Sequence, residues 1–149
     1  MAEAWTDEAL RDLLTRVHSI AVVGIKADPD EDAHRVPAYM QAAGYRVLPV
    51  SPKQSEVLGE PCAPTLDSTT TACDLVNLFR APGHLPAHTA EILALDPKPR
   101  AVWMQLGITH ADCAERLREA GILVVEDRCL MVEHRRLLGS RQPDKERVT

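Results

Sequence analysis

Residues 20–40, IAVVGIKADPDEDAHRVPAYM, decide the fold. They open on a β-branched apolar run of the kind buried on both faces of a parallel sheet, stop at Gly24, and pass through a polar loop into a helical pattern. Strand, glycine, helix is how many nucleotide-binding domains begin, because the first N–H groups of such a helix face the turn and attract phosphate. The usual glycine-rich fingerprint is missing, since only Gly24 stands where GxGxxG would place three glycines. The following strand ends in Ser51 and Pro52, where an NAD site needs an acid for the ribose hydroxyls. GxxxxGK[ST] occurs nowhere in the chain. An NAD dehydrogenase and a P-loop nucleotidase are both disfavoured.

The pattern continues on either side. Upstream, Thr6 is placed to cap a helix with Asp7 and Glu8 in its first turn and an apolar stripe of Leu10, Leu13, Leu14 and Val17. Downstream, the helix beginning near Ala33 accommodates Pro37 in its first turn and ends at Gly44, and YRVLPVSP (45–52) is the second strand. CDLVNLF (73–79), AVWMQLGI (101–108) and ILVVE (122–126) read as further strands. They alternate with helices over 85–95, 110–121 and 129–138, the second of these capped by Thr109. Residues 52–72, rich in Pro, Ser and Thr, read as a loop with SEVL a short turn. Such alternation demands crossovers, which give an α/β fold: a Rossmann-like, doubly wound parallel sheet of about five strands, expected order 3-2-1-4-5, with helices on both faces. One domain is expected over 1–138, followed by a polar tail over 139–149.

With 22 acidic against 17 basic residues, a net charge of -5 argues against a broad nucleic-acid or anionic-membrane surface and leaves room for a local basic pocket. An aromatic content of 3% implies an aliphatic core. The four cysteines form no CxxC pair, and the acidic, amphipathic N-terminus lacks the features of a signal peptide; the expectation is reduced thiols and a cytoplasmic protein.

Ligands of an open parallel sheet collect beyond the carboxyl ends of the strands, here taken as the switch between strands one and four. The segments 24–26, 51–53, 79–83 and 105–108 converge there, with Lys26, His34, Arg35, Lys53 and Arg80 as candidate cations, each of which taken alone reads as a solvated surface charge. His84 and His88 are four apart but lack a third ligand, so they read as surface polar residues. Cys129 stands near the start of the last helix beside Arg128. It is either a thiol activated by the helix dipole or a small buried residue with Asp127 capping the helix and Glu133 pairing with Arg128.

VVGIKADPDEDAHRVPAYMQAAGYRVLPVSPK, EVLGEPCAPTL, DLVNLFRAP, VWMQLGI and VVEDRCLMVEHRRL together resemble the small stand-alone CoA-binding domain proteins, similar in fold to the N-terminal domain of the succinyl-CoA synthetase alpha subunit. The resemblance runs from about Ile20 to Leu138. It implies a nucleotide-binding module for CoA or an acyl-CoA, with Gly24, Ile25 and Lys26 at the pyrophosphate and the segment of His34, Arg35 and Val36 approaching the ligand. Val50, Ser51, Pro52 and Lys53 would flank the adenosine portion; Phe79 and Arg80, with Gln105, Gly107 and Ile108, would close the other side. On the activated-thiol reading, Cys129 would face the pantetheine thiol of such a ligand. Two departures stand out: Asp28, Asp30, Glu31 and Asp32 occupy a loop where relatives often show serine and a basic residue, and Ser51 replaces the asparagine common before the proline. The acids either weaken phosphate binding or turn outward. The phosphohistidine domain of full-length synthetases has no counterpart in these residues, so a binding module without ligase chemistry is expected, with a CoA ligand as partner and neither nucleic acid nor membrane. Two enzymatic alternatives stay open, a thiol-dependent CoA redox protein using Cys129 and a partner-dependent acyl-CoA component; so does a scaffold or homodimer with a degenerate pocket.

Overall fold

The computed structural model describes residues 5–68 and 72–139. A parallel five-stranded sheet is built from β1 (Ser19–Val23), β2 (Arg46–Val50), β5 (Leu75–Leu78), β6 (Ala101–Met104) and β7 (Leu123–Val125). A two-stranded hairpin, β3 (Glu56–Val57) with β4 (Glu60–Pro61), and a 3₁₀ turn at Leu66–Ser68 occupy part of the segment expected to be plain loop. The helices are α1 (Asp7–Arg16), α2 (Asp32–Ala42), α3 (Leu85–Leu93), α4 (Ala111–Glu119) and α5 (Leu130–Leu138). The expected tail lies outside the described residues from 140 onward.

Alternation along the strands sorts the core into two layers. Ile20 and Val22 point into one cluster with Leu10, Leu13 and Leu14 of α1, Val36 and Met40 of α2, and Leu137 of α5. Ala21 and Val23 point the other way, toward Ile92 of α3 and Leu117 of α4. Thr6 caps α1 as its residue type requires, its Oγ1 accepting the Ala9 N–H at 3.1 Å.

The architecture is the Rossmann-like doubly wound sheet, but the strand order is not 3-2-1-4-5. It runs β2-β1-β5-β6-β7, which is 2-1-3-4-5 when the five strands are counted along the chain. Two interactions go with this order. The Asp74 carboxylate accepts the amides of His18 and Ser19 at 2.8 and 3.2 Å, tying the start of β5 directly to the start of β1. Pro49 cannot donate to a ladder and belongs on an edge strand; its carbonyl accepts the Ala63 N–H at 3.0 Å on the outer side of β2, so its nitrogen also faces away from β1. The switch crevice therefore opens between β1 and β5 rather than between the first and fourth strands.

Two helix starts also differ from expectation. His110, not Thr109, caps α4, its Nδ1 accepting the Cys113 N–H at 3.2 Å. α2 begins at Asp32, so Pro37 lies inside the helix rather than in its first turn. Pro37 has no N–H to give the Ala33 carbonyl one turn back, and that carbonyl accepts the Lys26 amide instead, at 3.3 Å. The proline thus frees the acceptor that fastens the β1–α2 loop to its helix.

Candidate functional site

A cavity of about 510 Å³ sits over the carboxyl ends of β1, β2 and β5, lined by Gly24 to Lys26, Ser51 to Gln54, Phe79 to Ala81 and His84. Gly24 is its floor. Its φ of +85° is left-handed, and a Cβ there would lie 2.5 Å from the Phe79 carbonyl oxygen and 3.0 Å from Arg80 Cδ, so only glycine lets these chains approach. The Gly24 amide donates to Val50 O at 3.0 Å and the Lys26 amide to Ala33 O, which leaves the Ile25 amide as the turn's donor with no partner among the described residues. Side-chain capping of α2 by Glu31 is absent.

The cavity wall carries Lys26, Lys53 and Arg80 and no carboxylate. Arg80 Nε is buried with no hydrogen-bond partner among the described residues. A buried donor left unmet is costly and marks a place where an acceptor belongs. Ser51, 6% exposed, receives the Lys53 amide on its Oγ at 3.2 Å and bends the chain so that Lys53 stands at the rim. The four acids of the loop are exposed and none lines the cavity. Asp28 accepts the Asp30 amide at 2.9 Å and Asp32 is paired with Arg35. They turn outward.

Of the residues singled out from sequence, eight meet in this cavity: Gly24, Ile25, Lys26, Ser51, Pro52, Lys53, Phe79 and Arg80. The others lie around it. His34 places Nδ1 2.9 Å from the Lys26 carbonyl and Arg35 is held by Asp32, so both brace the loop. Val36 and Val50, 1% and 3% exposed, belong to the core, Val50 contributing its carbonyl to Gly24. Gln105 Oε1 accepts both Asn77 Nδ2 and the Leu130 amide at 3.3 Å. The Ile108 amide donates to Gln105 O at 2.8 Å and the Gly107 amide to Asp127 Oδ1 at 2.7 Å. Asp127 thus does not cap α5. Cys129 occupies the cap position with no side-chain hydrogen bond, while Arg128 and Glu133 pair at 3.3 Å. All four cysteines are free, and burial pushes the Cys73 thiol up to about 11.

Ala81, inside the expected segment 79–83, lines the cavity too, and Gln54 and His84 line it without having been singled out as ligand contacts. Their signal is positional: each follows directly on a strand-end segment of the crevice. His88, the other member of the spaced pair, is bonded to Glu91 at 2.8 Å, and no metal-ligand cluster occurs among the described residues. No helix among the described residues is long and apolar enough to cross a membrane.

A family model described as CoA binding domain matches residues 18–135. The uncharacterized protein YneT of Bacillus subtilis (strain 168) is 35% identical over 125 residues, 84% of this chain and 91% of YneT. A solved Thermus thermophilus structure is 46% identical with a TM-score of 0.85, over 89% of this chain and 99% of that one. The dinucleotide-forming acetyl-coenzyme A synthetase 1 of Ca. Korarchaeum cryptofilum shares the fold alone, at 16% identity and a TM-score of 0.64, over 76% of this chain and 27% of the synthetase.

Proposed function

We propose, from the premise that this chain belongs to the CoA binding domain family, that the crevice above Gly24 receives CoA or an acyl-CoA and that the protein is a binding module without ligase chemistry of its own. The observation carrying this reading is a wall bearing Lys26, Lys53 and Arg80 and no carboxylate, in a chain whose net charge is -5. Positive charge has been concentrated where the sheet topology opens. CoA brings a pyrophosphate and a ribose phosphate to such a place, and charge-assisted hydrogen bonds to phosphate are the strong ones. The Ile25 amide and Lys26 meet the pyrophosphate, Ser51 to Lys53 flank the phosphorylated ribose, and Arg80 turns its unmet Nε to a phosphate oxygen. In this reading these residues bind and orient the ligand.

Calorimetry with CoA, acetyl-CoA, NAD and ATP tests the reading. CoA is expected to bind more tightly than NAD, and Arg80→Ala to weaken it by at least about tenfold, the worth of one hydrogen bond to a charged group. Tighter binding of NAD than of CoA overturns the assignment.

A further inference from the structure

We infer that His84 is a ligand-contacting residue that couples occupancy of the crevice to uptake of a proton, an inference that rests on the CoA reading above. His84 lines the same cavity as Lys26, Lys53 and Arg80. It closes the 3₁₀ turn Pro82–His84, its backbone N–H donating to Ala81 O at 2.9 Å, so the turn fixes where the ring leaves the chain. The imidazole makes no hydrogen bond or ion pair among the described residues and caps nothing on α3. Its neighbour His88 is engaged: Glu91 holds its Nδ1 one turn along the helix, at 2.8 Å, so that carboxylate already has a partner. Charged groups on the cavity wall come from three elements, Lys26 after β1, Lys53 after β2 and Arg80 after β5, and all are cations.

The ring stands on the same wall as three cations, so a phosphate bound by them comes to rest beside it. Histidine is the side chain whose charge ordinarily changes between about pH 5 and 8. A phosphate seated among the three cations gives the ring a negative partner that the empty crevice lacks, so His84 binds a proton with the ligand. The proton comes from solvent and no covalent bond forms. By reciprocity, lower pH tightens ligand binding through this residue.

The test measures CoA affinity at pH 8 and pH 6 for the wild type, His84→Gln and His84→Lys, with calorimetry at each pH in two buffers of different ionisation enthalpy to count protons. Titration of the ligand's own phosphate is common to all three proteins and cancels in their ratios. From pH 8 to pH 6 the wild type gains roughly fivefold over His84→Gln, the size of one unit-charge contact at a wetted surface. His84→Lys binds roughly fivefold tighter than the wild type at pH 8 and about equally at pH 6, and only the wild type shows the extra proton uptake. Equal pH profiles for wild type and His84→Gln overturn the role of His84 while leaving CoA binding intact. Failure of the wild type to bind CoA at either pH overturns both readings.

Discussion

The corner after β1 and the corner after β6 and β7 lie along the same carboxyl edge of the sheet, yet they treat their polar groups in opposite ways. At the first, the Ile25 amide and Arg80 Nε have no partner among the described residues, and Lys26 and Lys53 stand at an open volume. At the second, Gln105 serves Asn77 and the Leu130 amide, Asp127 holds Gly107, and the Trp103 indole donates to Arg128 O at 2.7 Å. Unmet donors facing space make a place for a ligand; met ones make a frame. The second corner seats the first turn of α5, and α5 in turn packs on α1 and α2. Motifs that look equally functional in sequence divide, in space, into receiving and bracing.

The sharpest way to break this division is at Gly24. Any side chain there meets the Phe79 carbonyl, a backbone atom that cannot swing away, and a left-handed φ of +85° adds its own cost. Gly24→Ala is expected to lose about 3 kcal/mol of stability, combining the left-handed backbone penalty with overpacking. CoA affinity should fall with it by more than tenfold, because the Ile25 amide and Arg80 are displaced together. Chemical denaturation and calorimetry read the two effects. Unchanged binding in a folded Gly24→Ala protein would mean that the floor of the crevice is not where phosphate rests.

Gln105→Ala probes the bracing corner, with a smaller effect of the opposite kind. Removing the side chain strips acceptors from the buried Asn77 amide and from Leu130 N–H at the start of α5. A loss of about 2 kcal/mol follows from leaving buried donors unmet. CoA affinity is expected to stay within about threefold of wild type. Stability that holds while binding collapses would move Gln105 from the frame into the site.

Much of this was legible from the residues. The alternation of strands and helices, the glycine that ends β1 and the Thr6 cap follow from local rules that do not depend on the partner strand. Strand order does depend on it. The deciding signals were Pro49, whose missing N–H suits only an edge, and Asp74, whose carboxylate reaches the amides of His18 and Ser19. The first can be read from sequence by asking which strand tolerates proline; the second is a contact across more than fifty residues and cannot. The same limit governs the crevice. Gly24 to Lys26 and Ser51 to Lys53 declare themselves by position at strand ends, whereas the outward turn of Asp28 and Asp32 depends on one amide and one guanidinium that only folded geometry supplies.

The smallest expected effect concerns acid, and it should touch the frame before the crevice. His134 of α5 is fully buried, between Tyr39 and Tyr45 with ring centroids 5.4 and 5.5 Å away. The Tyr39 hydroxyl donates to Gly139 O at 3.3 Å and lies 2.9 Å from His134 Nδ1, an arrangement that puts the proton on Nδ1. Nε2 is then bare and buried, with no partner among the described residues. Burial holds this imidazole below the usual histidine range, because a charge on Nε2 would have nothing to answer it. The native state therefore resists a proton that the unfolded chain accepts near pH 6.5. Stability from this group is complete above that value and is lost as pH falls from about 6.5 toward the lower native pKa, at up to about 1.4 kcal/mol per pH unit within that window. Urea midpoints at pH 7.5, 6.0 and 5.0 should fall in that order. His134→Leu should flatten the portion of the slope due to this residue, although loss of the Tyr39 contact lowers stability throughout. If the slope survives the substitution, acid sensitivity lies outside the α2–α5 contact, and the bracing side of the molecule is less self-contained than its hydrogen bonds imply.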